Sequence, residues 1–81
     1  MREFSDSTGA RWEAFPREEP VAHLRAGARL VFRPLDGDDR EIASAVTFNT
    51  VEAAGSAIGS MSDGELERRL VLAKKESGLR V

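Results

Sequence analysis

A chain of 81 residues with no cysteine and one histidine must hold its fold by an apolar core and backbone pairing, because it has neither disulfides nor a metal cluster to staple it. A single small domain over residues 1–81 is the natural count. At that size only about 60–65% of the unfolded surface is buried, so the core leaves a thin margin. The 41% hydrophobic content suffices for such a core, and the 32% charged content gives a soluble exterior rather than a disordered chain. The same poverty of side chains excludes most chemistry. Metal sites draw on clusters of Cys, His and carboxylate, and covalent catalysis needs a nucleophile beside a base.

Asp6-Ser7-Thr8-Gly9 carries the strongest turn signal, with Asp opening a type I turn and Gly at the left-handed position of a three-residue bulged loop. A loop of Ser7, Thr8 and Gly9 pairs Asp6 with Ala10 and sets Phe4 opposite Trp12, within a hairpin over residues 2–15. Pro16 and Pro20 are expected to break the following strand. Pro20-Val21-Ala22-His23-Leu24 reads either as one helical turn ended by Gly27 or as extended chain. Arg29–Arg33 reads as a strand with Leu30 and Phe32 on one face and Arg29, Val31 and Arg33 on the other. A turn at Asp36, Gly37 and Asp38 leads into a strand from about Arg40 to Phe48, on which Ile42, Val46 and Phe48 share a face. This register puts Phe32 opposite Ile42 and Arg33 opposite Glu41, with room for slippage because Gly37 sits one place early.

Asn49 or Thr50 can cap a helix reaching about Ile58, with Glu52 in its first turn and Val51, Ala54 and Ile58 helically spaced. Gly55 and Gly59 are expected to keep it short or frayed. Ser62-Asp63-Gly64-Glu65 matches a capping box, with Met61 placed as a hydrophobic staple. Acidic residues lie early, Lys74 and Lys75 lie late, and Gly78 follows, which predicts a helix over 63–77. These elements make an α+β domain: a small antiparallel sheet of about four strands, built as two hairpins and packed against a C-terminal helix, with a short helix before it.

Each motif has a bland account. His23, the only imidazole, lacks a defined partner and reads as structural rather than as a general base. Asp36-Gly37-Asp38-Asp39 fails the calcium-loop spacing, since Arg40, Glu41 and Thr47 fall where Asp, Gly and Glu are required. Gly55 and Gly59 lack the Gly-Lys-Ser/Thr ending of a phosphate loop and read as small residues at a crowded crossing or as flexible chain. Nothing fixes any two of Asp6, Glu13, Glu18, Glu19 and Glu41 at a catalytic separation. No catalytic residue, metal or cofactor is expected.

With a net charge of −2, the chain is less basic than a general nucleic-acid binder of this size. It has no apolar run near the roughly 20 residues of a membrane span, and its start has no signal-peptide character. A cytoplasmic, soluble protein is the expectation. Ten of the 12 basic residues are arginine beside much alanine and glycine, the usage of a GC-rich bacterium.

The terminal helix carries the functional hint. Leu66, Leu70 and Ala73 form its core stripe, and at about 100° per residue Val71 and Leu72 fall on opposite flanks, off that stripe. With Arg68, Arg69 and Lys75 beside them they compose a candidate partner interface, unless one flank packs on the preceding helix. The expected function is a non-catalytic protein-protein interaction module, an accessory subunit or small adaptor of a larger bacterial assembly. Self-association is compatible with this. The alternative is a nucleic-acid or ribonucleoprotein-associated sheet presenting Arg11, Arg29 and Arg33, with Trp12 and Phe15 available for stacking if they lie on the open face.

Arg2-Glu3-Phe4-Ser5-Asp6-Ser7-Thr8-Gly9-Ala10-Arg11-Trp12, with the ending Met61-Ser62-Asp63-Gly64-Glu65-Leu66-Glu67-Arg68-Arg69-Leu70, resembles small uncharacterised bacterial proteins that begin with an R-x-F-x-D-x-x-G-x-x-W hairpin and end in a capped helix. The resemblance implies the hairpin and the helix. It implies no activity and assigns no site residue.

Overall fold

The turn at Asp6–Gly9 sets the first pairing. Gly9 adopts a φ of 87°, its N–H bonds the Asp6 carbonyl at 3.0 Å, and Asp6 N–H bonds the Ala10 carbonyl at 2.9 Å. Phe4 then stands opposite Trp12 as the turn chemistry requires. The computed structural model describes residues 2–21, 24–36 and 40–78. In chain order these form β1 (Arg2–Ser5), β2 (Arg11–Val21), β3 (Leu24–Pro34), β4 (Ile42–Phe48), α1 (Val51–Ser60) and α2 (Asp63–Gly78). The strands make one antiparallel meander in the order β1-β2-β3-β4, so the domain is α+β with both helices after the sheet.

The longest pairing joins β2 to β3, from Trp12↔Pro34 to Val21↔Leu24. It overturns the expectation that Pro16 and Pro20 end the strand, and of the two readings open for the residues that follow it takes the extended one at Val21 and Leu24. Pairing with β1 stops at Arg2↔Ala14, so beyond Ala14 β2 is an edge strand among the described residues, where a missing N–H costs no ladder bond. Pro20 also sits where the register shifts, between Glu19 and Val21. Ala22 and His23 lie outside the described residues, as do Gly37, Asp38 and Asp39 of the second turn.

Phe32 stands opposite Ile42 as expected, while β4 begins at Ile42 rather than near Arg40. Further along, the register shifts from Val31↔Ala43 to Arg29↔Thr47. Ser44 lies in this bulge, 4% exposed, and its hydroxyl donates to the Leu30 carbonyl at 2.8 Å and accepts from Val46 N–H at 3.1 Å. Because two residues are added, the alternation survives, and Ile42, Val46 and Phe48 all pack against the core.

That core joins Phe4, Trp12, Ala14, Leu30 and Phe32 of the sheet to Ile58 of α1 and Leu66, Leu70 and Ala73 of α2. Phe4 meets Phe32 edge to face, with centroids 5.9 Å apart. Thr50 caps α1, its hydroxyl accepting from Ala53 N–H at 3.0 Å. The helix runs to Ser60, two residues past Ile58, with Gly55 and Gly59 on its exposed face and Ala54 and Ile58 buried to hold it. The crossing is not crowded: a Cβ at either glycine would meet nothing within 4 Å. Ser62 caps α2, its hydroxyl accepting from Glu65 N–H at 3.2 Å, and Met61 packs on the cluster containing Leu66.

The hairpin and α2 are also joined by polar bonds. Arg2 ion-pairs with Asp63 and reaches the Met61 carbonyl at 3.4 Å, and Ser7 N–H donates to Glu67. Lys74 Nζ stands 4.8 Å from the Trp12 ring centroid. Asp6 is the centre of this junction. Its Oδ1 accepts from Thr8 N–H at 2.9 Å, the Thr8 hydroxyl at 2.6 Å and Ala10 N–H at 3.0 Å, while Oδ2 accepts from Trp12 Nε1 at 3.0 Å.

Candidate functional site

Two surfaces compete for a role, the open face of the sheet and the outer face of α2. Alternation places Glu3, Arg11, Glu13, Phe15, Arg17 and Glu19 on the open face, with Arg29, Val31 and Arg33 opposite on β3. Trp12 belongs to the other face and is 8% exposed within the core, so it is not available for stacking on a ligand. Phe15 is on the open face but half-buried, with the Arg17 and Arg33 guanidinium carbons 5.8 and 5.7 Å from its ring centroid. Val31, paired with Phe15, is fully buried beneath this charged layer.

The arginines proposed for nucleic acid are each engaged by a carboxylate. Arg11 pairs with Glu3 at 2.7 Å, and Arg33 pairs with Glu13 at 2.5 Å, its direct cross-strand neighbour. Arg29 pairs with Glu19 at 2.8 Å and also donates to the Ser44 carbonyl at 2.9 Å. Glu41, one residue before the Phe32↔Ile42 pair that the expected register required, ion-pairs with Arg17. A shallow cleft of about 310 Å³ opens between Glu13, Phe15, Pro16, Arg33 and Glu41, but its walls carry both signs of charge. Such a face offers a phosphate backbone no net attraction.

The outer face of α2 is built differently. The helix lies against β4 and β1, while α1 covers β2, β3 and β4, so among the described residues no strand or helix packs mainly on the far side of α2. Val71 is 44% exposed and Leu72 54%, more than any other large hydrophobic described. Separated by periodicity, they meet around the outside of the helix in a shallow apolar depression of about 340 Å³, lined also by Glu67 and Arg68. Leu72 further lines a groove with Arg69, Glu76 and the Ser44–Val46 bulge of β4.

The expected interface residues therefore divide. Arg68, Val71, Leu72 and Lys75 share the exposed side, opposite the buried stripe. Arg69 turns toward β4 and ion-pairs with Glu65 at 3.7 Å in the same helix. Sequence reasoning missed the role of Glu67 as one wall of the depression; its position one turn before Val71 was the available signal.

Among the described residues no group of three or more His, Asp or Glu side chains is placed to hold a metal ion, and no described helix is long and apolar enough to cross a membrane. His23 lies outside the described residues. Comparison with protein-family models, with curated proteins and with solved structures gives no match to this chain.

Proposed function

We propose that this chain is a non-catalytic protein-interaction module, an accessory subunit or small adaptor of a larger bacterial assembly, that docks a partner on the outer face of α2. The observation that carries this reading is the pairing of Val71 and Leu72, side by side and uncovered on a helix whose remaining apolar residues are buried. Scattered exposed apolar side chains are ordinary, but two that share one depression form a patch. The nucleic-acid alternative is weaker, because its arginines are neutralised by Glu3, Glu13 and Glu19.

The test is affinity purification of the tagged protein from its own cells, with and without nuclease, for the native sequence and for Val71→Glu and Leu72→Glu. A stoichiometric protein partner that survives nuclease and is lost with either substitution, while circular dichroism stays unchanged, is the expected result. A partner retained by both variants removes α2 from the account. Partners that vanish with nuclease move it to the open sheet face.

A further inference from the structure

We infer that the outer face of α2 selects an acidic amphipathic helix belonging to a different polypeptide. This rests on the docking role above and adds the chemistry of the occupant. Among the described residues most cations are neutralised: Arg2, Arg11, Arg17, Arg29, Arg33, Arg69 and Lys74 each stand against a carboxylate, and Arg40 is also engaged. Arg68 and Lys75 are exposed and have no carboxylate partner among the described residues. They are seven residues apart, two helical turns or about 10.5 Å, and Val71 and Leu72 lie between them. A helix with carboxylates at the same interval and apolar residues between them matches this face point for point, as flanking charges do in paired helices.

A second copy centred on the apolar pair opposes its own cations. Antiparallel pairing about an axis between Val71 and Leu72 sets Arg68 against Lys75 of the second copy, and parallel pairing sets Arg68 against Arg68. Either arrangement opposes like charges across the contact. An anionic bilayer fits no better. The helix carries four acidic and four basic residues, with Glu67 at one margin of the apolar pair and Glu76 at the other. A lipid surface would meet those carboxylates, whereas a helix with two placed carboxylates avoids them.

The experiment is titration of the isotope-labelled protein, followed through its backbone amide resonances. Three synthetic amphipathic helices share one apolar stripe and carry Glu, Gln or Lys at two positions seven apart; vesicles of phosphatidylserine and phosphatidylcholine form a fourth arm. The Glu helix is expected to shift the amides of residues 67–76 and to bind about tenfold more weakly to the Arg68→Glu/Lys75→Glu variant, whose amide spectrum reports an intact fold. Equal shifts from the Gln or Lys helix overturn the charge selection and leave the docking face standing. Equal shifts from the vesicles overturn it in favour of lipid. No shift at 67–76 from any arm overturns both the selection and the docking face.

Discussion

Replacing Asp6 with Ala removes the acceptor that ties the first turn to the core. The carboxylate takes four hydrogen bonds, two from exposed Thr8 and two from the part-buried N–H groups of Ala10 and Trp12. Bonds to a charged acceptor contribute about 1.5–3 kcal/mol each; the lower value for the two part-buried bonds, and nothing for the exposed pair, gives about 3 kcal/mol. Lys74, at 4.0 Å and half-exposed, adds little. A domain of this length holds roughly 4–12 kcal/mol in all, so Asp6→Ala consumes a large share and lowers Tm by about 12–24 °C. Asp6→Asn is an informative control, because an amide offers one acceptor oxygen and cannot serve the Oδ1 cluster and the Trp12 indole together. The assay is urea unfolding followed by the fluorescence of Trp12, with circular dichroism as a second probe. The Thr8 hydroxyl above all, then the Trp12 indole and the Thr8 and Ala10 N–H groups, holds the Asp6 carboxyl below its ordinary range, while burial pushes it the other way. Its folded pKa lies below the unfolded value of about 3.9, so the stabilisation is complete above that value and is lost as pH falls through the folded one. Native protein should therefore lose stability below about pH 4 more steeply than Asp6→Asn. A cost under about 0.5 kcal/mol for Asp6→Ala, or parallel pH curves, would refute the reasoning.

Ser44→Ala leaves the Leu30 carbonyl and Val46 N–H without their hydroxyl partner and should cost about 1–3 kcal/mol, with faster hydrogen exchange at Val46; an unchanged Val46 amide contradicts it. Glu13 is 6% exposed whereas Arg33 is exposed, so Arg33→Ala, which strands a buried carboxylate, should destabilise by about 1–2 kcal/mol more than Glu13→Ala in denaturant melts. Equal costs would mean that burial of the carboxylate is not what matters there. Gly9→Ala should cost about 1 kcal/mol for conformational reasons alone, because the φ of 87° disfavours a side chain while the space around it is open; a neutral melt contradicts that.

The parts of the fold that were legible in the sequence are those fixed by local chemistry. Asp6–Gly9 determined a turn type, and the turn type determined that Phe4 meets Trp12. Ser62 and Glu65 marked the start of α2, and its periodicity separated Leu66, Leu70 and Ala73 from Val71 and Leu72. The misreadings concern properties that neighbours decide. Pro16 and Pro20 break a strand only where their missing N–H faces a partner, and the shortness of β1 is what makes that side of β2 an edge. The Ser44 bulge was invisible because it preserves the alternation of Ile42, Val46 and Phe48. Cation pairing depends on cross-strand register, so Arg33 with Glu13 rather than Glu41 emerged only from the assembled sheet, and with it the contrast with Arg68 and Lys75.

The docking claim is tested most directly by a photo-crosslinking residue installed at Leu72 on α2 and, in a separate variant, at Thr47, which is exposed on edge strand β4 opposite Arg29, with both illuminated in the cells that make the protein. The account predicts that position 72 crosslinks to another polypeptide and that position 47 does not. Crosslinks from position 47 alone, with position 72 silent, would contradict it.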